Sequence, residues 1–89
     1  MSPVRARYTY VYVLRSVTSG RMYTGCTSGL RKRLLEHAGG ARAKVDYELI
    51  YFEGCKNILD AYAREKYLKT GMGKRYLKNR NKRFLALTG

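Results

Sequence analysis

The chain has 89 residues and a formal net charge of +13, from 19 lysines and arginines against six acidic residues. This length predicts a single domain over residues 1–89 with one modest core, and a hydrophobic content of 45% excludes a disordered chain. No apolar run of about 18 residues and no apolar signal core is present, so we expect a cytoplasmic protein without a membrane span.

Two strands joined by a short turn are predicted after a loose basic arm at residues 1–7. Residues 8–15 are β-branched and aromatic, which favours a strand. Both faces of this strand are partly apolar, so we expect it in the middle of the sheet. Residues 16–20 carry turn-forming side chains, and residues 21–26 return as the second strand.

The register of this hairpin decides which tyrosines meet. If Arg15 lies opposite Gly20, then Tyr12 lies directly opposite Tyr23, with Cβ atoms about 4.5–5.5 Å apart on one face. A slip of one residue would separate the two rings, because it turns one strand over.

A helix with two polar residues on one face is predicted after the second strand. Thr27 or Ser28 can cap it, and the glycines at 39–40 end it. Arg33 and His37 are four residues apart, so they point the same way, beside the apolar stripe. That stripe consists of Leu30, Leu34 and Ala38.

One strand and two helices complete the predicted fold. Residues 47–53 form the third strand, and Asn57 is the expected N-cap of a helix that runs to about Thr70. A short third helix follows to about Asn79, and a basic tail occupies residues 79–89. The sequence thus predicts an α/β fold of the mixed, α+β type, with a three-stranded, mostly antiparallel sheet flanked by three helices.

Glu65 is the most informative acidic residue. At about 100° per residue it lies within the apolar stripe of its helix, among Ile58, Leu59, Ala61, Tyr62 and Leu68. A carboxylate on a buried side is costly unless it is paired or holds a metal. Two interpretations stay open: an ion pair with a core-facing arginine, or a ligand for one divalent cation that also binds phosphate oxygens.

The C-terminal third of the chain favours a polyanionic partner. Residues 64–83 hold nine cations against the single acid Glu65, with Tyr67, Tyr76 and Phe84 interleaved. They form either a solvated face or a phosphate track whose rings stack on bases. The charge alone fits DNA, RNA or an anionic membrane surface. The candidate phosphate contacts are Arg31, Lys32, Arg42, Lys44, Lys66, Lys69, Lys74, Arg75, Lys78 and Arg80.

The tyrosines, the arginine and the histidine each have an ordinary explanation. Most of the nine tyrosines must be core or interface rings. A phenol with a pKa near 10 is a poor base unless cations or a metal-bound water lower that pKa. A lone arginine or histidine on a helix is usually solvated or structural, although the planar fork of Arg33 suits a phosphate.

Taken together, these residues resemble the GIY-YIG nuclease superfamily. Residues 10–12 (Tyr-Val-Tyr) occupy its first motif and residues 23–25 (Tyr-Thr-Gly) its second, and Arg33, His37 and Glu65 follow in order. The resemblance covers about residues 8–78. It is strongest to the small single-domain bacterial members, which are related to the incision domain of the repair subunit UvrC.

The resemblance implies hydrolysis of a phosphodiester with one divalent cation, Mg²⁺ or Mn²⁺, held by Glu65. Tyr12 or Tyr23 would orient or deprotonate the attacking water. Arg33 would stabilise charge on the phosphate, and His37 would assist positioning or proton transfer.

The sequence departs from the family pattern in three places. Tyr10 stands where the family name has glycine, and Thr24 where it has isoleucine; strands tolerate both. The loop after His37 is short and lacks the usual threonine and proline. We expect no second domain to direct the cut, so specificity would come from a protein partner or be absent.

The leading prediction is a metal-dependent endonuclease of DNA repair that acts on irregular DNA rather than on a sequence. DNA is favoured over RNA, no membrane is involved, and the protein is a monomer or weak dimer. Two alternatives stay open. One is a nucleic-acid-binding protein, for DNA or RNA, that keeps the fold without turnover, and the other is a basic accessory protein of the ribosome.

Overall fold

The computed structural model describes residues 7–39 and 47–88, with the backbone alone at 37–39 and 88. Its elements are β1 (Thr9–Ser16), β2 (Met22–Thr27), α1 (Leu30–Gly39), β3 (Tyr47–Cys55), α2 (Ile58–Leu68), α3 (Gly71–Arg80) and α4 (Lys82–Thr88).

The predicted α+β fold and element order are confirmed, and the predicted tail contains a further short helix, α4. Most of the predicted arm at 1–7, namely residues 1–6, and most of the short loop expected after His37, residues 40–46, lie outside the described residues. Within the described ranges, every helix is too short or too polar to cross a bilayer.

β1 is the central strand of an antiparallel sheet ordered β2-β1-β3, as its two partly apolar faces predicted. The predicted hairpin register is wrong, since Tyr12 lies opposite Gly25 rather than Tyr23. The Ser16 N–H bonds to the Arg21 carbonyl at 2.8 Å, so the connection between the strands is longer than predicted. The shift amounts to two residues, which keeps both tyrosines on one face.

A bulge interrupts the pairing of β1 with β3. Val13 pairs with Tyr51 and Leu14 with Leu49, which leaves Ile50 as an extra residue in β3. An extra residue reverses the alternation of faces beyond it. The first residues of β3 therefore turn toward the face opposite to the one that strict alternation predicts.

The core lies on one face of the sheet, beneath α2 and α3. α2 contributes less to it than predicted, because Ile58, Leu59 and Tyr62 are each about half exposed or more. The two buried residues of α2, Ala61 and Leu68, are seven apart, which is about two helical turns. They therefore lie on one side of the helix, and α2 packs against the sheet along that narrow strip. The fully buried members of the core are Val11, Val13, Ala61, Leu68 and Leu77.

Side-chain caps begin α2 and α3. The Asn57 side chain accepts a hydrogen bond from the Leu59 N–H at 2.8 Å, which confirms the predicted cap of α2. Thr70 caps α3 in the same way and accepts from the Gly73 N–H at 3.1 Å. Gly73 is buried, and a Cβ there would overlap the backbone of Leu68. The two helices therefore meet at a turn that leaves no room for a side chain.

β3 continues to Cys55, past Gly54, where the sequence predicts its end. Gly54 stays in the ladder opposite Tyr10, and the Tyr8 ring lies over it, 3.2–3.3 Å from the place of a Cβ. Glycine here lets a ring approach the backbone closely and does not break the strand.

Candidate active site

The Tyr12 phenol lies against β2 at Gly25. Tyr12 is buried, and a Cβ at Gly25 would overlap its ring, with the ring carbon Cζ at 2.5 Å. Glycine is therefore required for the ring to cross β2 at this point. The structure brings Tyr12 and Tyr23 to one cavity of about 250 Å³, which is lined by Tyr12, Leu14, Tyr23, Thr24, Gly25 and Tyr47.

Tyr23 lines this cavity and keeps 45% of its surface exposed. Its ring meets the Tyr47 ring edge to face, with centroids 5.0 Å apart. The Tyr47 hydroxyl donates a hydrogen bond to the Tyr23 oxygen, and the Arg21 guanidinium donates another; both lower the pKa of Tyr23, the first more than the second. The same bond raises the pKa of Tyr47. A phenol whose pKa is lowered is the group that a tyrosine base requires.

Glu65 affects the pKa of a residue of β2, Cys26, on the face of the sheet that carries the core. Burial, and after it the Glu65 carboxylate, raises the pKa of the Cys26 thiol, so the carboxylate lies near Cys26. Cys26 packs against the core, whereas its neighbour Gly25 carries the Tyr12 ring on the opposite face. Tyr12 thus contacts β2 at Gly25 on one face, and α2, which carries Glu65, packs against β2 on the other. Both faces open onto the free edge of β2, because β2 pairs with one strand only in the described part of the chain.

Arg64 links α2 to the sheet. Its Nε donates a hydrogen bond of 2.5 Å to Glu53 on β3, and this bond raises the pKa of Arg64. The guanidinium also lies 4.8 Å from the Tyr76 ring centroid and 5.2 Å from that of Tyr67. Within the described ranges, the ion pair of Glu65 is with Lys69 and not with an arginine, and Arg64 pairs with Glu53. Tyr67 and Tyr76, which the sequence offered for base stacking, both lie beside Arg64, and their stacking stays a prediction.

Glu65 pairs with Lys69, one helical turn away, with Lys69 Nζ 3.0 Å from Glu65 Oε2. The carboxylate keeps 23% of its side-chain surface exposed. Among the described residues, no three His, Cys, Asp or Glu side chains gather into a metal cluster. Mg²⁺ is commonly held by one or two carboxylates, several waters and the substrate's phosphate oxygens. Glu65 alone could therefore offer a divalent cation one carboxylate, and water and substrate oxygens would have to supply the other ligands.

Arg33 and His37 both lie on α1, which contacts β3. Arg33 is exposed, and its backbone N–H bonds to the Gly29 carbonyl in the first turn of the helix. His37 follows one turn later, where the backbone alone is described. The convergence of these two side chains with the tyrosines stays a prediction.

Lysines of α2 and α3 extend the site along the free edge of β2. Tyr23 lines a cavity of about 420 Å³ together with Arg21, Lys74 and Lys78. It also lines a second cavity of about 300 Å³ with Lys69 and Lys74. Among the other candidate phosphate contacts, Arg42 and Lys44 lie outside the described residues, and the exposed ones are Arg31, Lys32, Lys66, Arg75 and Arg80.

A family model described as the GIY-YIG catalytic domain matches residues 8–83. The chain belongs to the GIY-YIG family. A UPF0213 protein of Clostridium perfringens (strain 13 / Type A) is 38% identical over 65 residues, which cover 67% of this chain and 69% of that protein. No solved structure matches the chain. The predicted resemblance is confirmed, and the GIY-YIG family is one of nucleases, which act on nucleic acid.

Two residues that the structure places beside Tyr23, namely Arg21 and Tyr47, were missed in the sequence. Arg21 stands two positions before Tyr23, so strand alternation places both on one face, and this signal could have found it. Tyr47 could not be found in this way, because the bulge at Ile50 decides which face it occupies. No local pattern in the sequence marks that bulge.

Proposed function

We propose that this GIY-YIG protein is a divalent-metal-dependent endonuclease that hydrolyses phosphodiester bonds in DNA and selects its substrate by shape. The observation that supports this most is the arrangement at the free edge of β2. Tyr12 contacts β2 at Gly25 on one face, and α2, which carries Glu65, packs against β2 on the other, beside a Tyr23 phenol whose pKa is lowered. An acidic metal ligand and a phenolic base on either side of one edge suit a phosphate placed along that edge.

The substrate backbone is proposed to lie along the edge of β2. Lys69, Lys74 and Lys78 line the cavities next to Tyr23, where they can contact phosphates on either side of the scissile one. Such contacts position a backbone without reading bases, which supports selection by shape. DNA, rather than RNA, and a role in cytoplasmic DNA repair are proposed from the resemblance to the UvrC incision domain.

Hydrolysis then follows from the placement of these side chains. The deprotonated form of Tyr23 takes a proton from a water that Tyr12 orients. The water oxygen bonds to phosphorus, the bond from phosphorus to one sugar oxygen breaks, and that oxygen takes a proton from solvent. Arg33 stabilises the charge on the phosphate, and His37 positions the substrate or transfers a proton. Glu65 would hold Mg²⁺ or Mn²⁺, which would supply positive charge to polarise the phosphate.

A second candidate is a nucleic-acid-binding protein that retains the fold without turnover. The ion pair between Glu65 and Lys69 favours it, because the ammonium occupies a carboxylate oxygen that a cation would need. Under this alternative the edge of β2 still binds phosphates, but no cut follows.

The test is cleavage of a panel of duplex, nicked, flap and junction DNAs in Mg²⁺ or Mn²⁺, with wild type and Glu65→Gln. Glu65→Gln should reduce cleavage by roughly 100-fold or more while affinity for DNA without metal stays the same. Asp60→Asn is the matched control, because it removes an exposed carboxylate from the same helix and should leave cleavage intact.

Each contrary result points to a different conclusion. Cleavage that survives Glu65→Gln would refute the assignment of the metal ligand. Salt-dependent binding by the wild type with no cleavage of any substrate would establish the second candidate instead.

A further inference from the structure

Three aromatic rings form a continuous exposed surface on the sheet face opposite α2. We refer to Tyr8, Tyr10 and Phe52 as the aromatic platform. The ring centroids of Tyr8 and Tyr10 are 6.3 Å apart, and those of Tyr10 and Phe52 are 6.2 Å apart. Tyr8 is 42% exposed and Phe52 is 53% exposed. These rings are not needed for the core, which lies on the other face of the sheet.

Gly54 lies beneath the Tyr8 ring of the platform, and one lysine, Lys56, lies beside that ring. The Tyr8 ring rests over Gly54, which lies opposite Tyr10 in the ladder. Lys56 Nζ lies 5.3 Å from the centroid of the Tyr8 ring. A continuous exposed apolar patch with a polar rim marks a binding surface. Because Lys56 adjoins these rings on a chain of charge +13, the matching ligand combines flat apolar groups with negative charge.

The aromatic platform adjoins the candidate active site. Phe52 lies directly opposite Tyr12 across β1 and β3, and Tyr12 lies opposite Gly25 across β1 and β2. Directly opposed residues share a face, and neighbouring strands are about 4.8 Å apart. The platform therefore begins one strand away from Tyr12. A single-stranded extension that leaves the edge at Gly25 and turns across the sheet would pass over Phe52 and Tyr10.

We propose that the aromatic platform stacks the unpaired bases of a single-stranded DNA segment next to the scissile phosphate. Bases supply flat apolar faces, and the phosphates between them supply the negative charge that Lys56 matches. A duplex cannot use the platform, because its bases are stacked on one another and expose their edges alone. The position of the scissile phosphate rests on the proposed function, whereas the stacking does not. The inference narrows the substrate to DNA with an unpaired stretch.

Binding measured without divalent metal separates this inference from cleavage. Fluorescence anisotropy compares a short oligothymidylate with a duplex of equal length for wild type, Phe52→Ala and Tyr62→Ala. Tyr62 is the matched control, because it is 52% exposed but belongs to α2. Phe52→Ala should weaken single-strand binding roughly 5- to 150-fold. Duplex binding and the salt dependence should not change, since no cation is removed.

Conservative variants guard against a loss of folding. Phe52→Tyr keeps the ring and should retain affinity, whereas Phe52→Leu keeps the apolar bulk and should lose it as Phe52→Ala does. Thermal unfolding checks that each variant folds.

Equal weakening on both DNAs, or no weakening, would overturn the inference. So would sedimentation showing that Phe52→Ala turns a dimer into a monomer at unchanged affinity, because the platform would then join two copies. If the wild type binds single strands through Phe52 yet cuts no DNA, the proposed nuclease function is refuted, and the inference that the platform stacks unpaired bases is supported.

Discussion

The Tyr12 ring lies across Gly25 on the adjacent strand, with no room for a methyl group between them. Gly25→Ala should therefore push the ring out of the cavity that it shares with Tyr23. We expect a loss of roughly 100-fold in cleavage, because a shift of about 1 Å near the reacting atoms has that effect. Overpacking should also lower the free energy of unfolding by about 1–3 kcal/mol. Steady-state cleavage and thermal unfolding measure the two effects.

Gly71→Ala is the matched control for that substitution. Gly71 is the first residue of α3, and a Cβ there would meet no atom within 4 Å. The variant should cleave normally and be unchanged or more stable by up to about 1 kcal/mol. If Gly25→Ala behaved like Gly71→Ala, the contact between the ring and β2 would have no bearing on catalysis.

Removal of the Tyr47 hydroxyl should move the pH dependence of cleavage. Its hydrogen bond is the largest cause of the lowered pKa of Tyr23, ahead of the bond from Arg21. A base works when deprotonated, so the rate rises with pH until the pKa of Tyr23 is reached. Tyr47→Phe raises that pKa, so the rising limb should move to higher pH and cleavage at neutral pH should fall.

Single-turnover rates across pH measure this shift. Arg21→Gln should move the rising part of the pH–rate profile in the same direction by a smaller amount. A pH–rate profile that was unchanged in both variants would exclude Tyr23 as the base.

Lys69→Ala should tighten the binding of a divalent cation in the absence of DNA. The ammonium lies 3.0 Å from Glu65 Oε2 and competes with any cation for that oxygen. A pair of this kind contributes about 0.2–1 kcal/mol, so the affinity for Mn²⁺ should rise by up to about fivefold. Titration of free Mn²⁺ by electron paramagnetic resonance measures the change. Lys66→Ala, exposed on the same helix, is the control, and an equal change in both would mean a general effect of charge.

The lysines beside Tyr23 should set the salt dependence of DNA binding. Lys74 lines both edge cavities and Lys78 lines one of them. Each phosphate contact that is lost should reduce the slope of log K against log salt by about 1. Lys74→Ala and Lys78→Ala should each do so on duplex and single strand alike. Lys82→Ala, outside these cavities, should not, and an unchanged slope for Lys74→Ala would place the backbone elsewhere.

Tyr51 should make the fold less stable at high pH. Burial, and then a hydrogen bond with Tyr76, raises the pKa of Tyr51 to about 12. The unfolded chain releases this proton near pH 10, while the folded chain keeps it. The stabilisation is complete below about pH 10 and is lost as pH rises toward about 12.

Tyr51→Phe removes this titration, so its free energy of unfolding should fall less than that of the wild type as pH rises from about 8 to about 11. Urea unfolding at several pH values measures the difference. Tyr62→Phe, at an exposed ring, is the control and should follow the wild type. Parallel curves for Tyr51→Phe and wild type would refute the assignment.

The elements of this fold were predictable because each is encoded by neighbouring residues. The aromatic and β-branched run of β1 with its two apolar faces, and the cap at Asn57, needed no distant contact. The hairpin register was not predictable, because it depends on the bond from Ser16 to Arg21 that closes a longer connection. A difference of two residues then decides whether Tyr12 meets a ring or a glycine.

The surroundings of the acidic site were predictable in part, for a similar reason. The pairing of Glu65 with Lys69 follows from their spacing of four residues on one helix. The pairing of Arg64 with Glu53 joins α2 to β3 and exists only once the helix is seated on the sheet. The sequence pattern offered both acids and all the cations, but tertiary packing decided which of them met.

The extra residue at Ile50 has a consequence for chemistry on the far side of the sheet. Counted back from Phe52 with strict alternation, Tyr47 would point at α2; the bulge turns it toward Tyr23. If the same residues paired with β1 without the bulge, Tyr47 would lie on the α2 face and Tyr23 would lose the hydrogen bond that lowers its pKa most. A single irregularity in the pairing of β3 thus controls the acidity of a side chain two strands away.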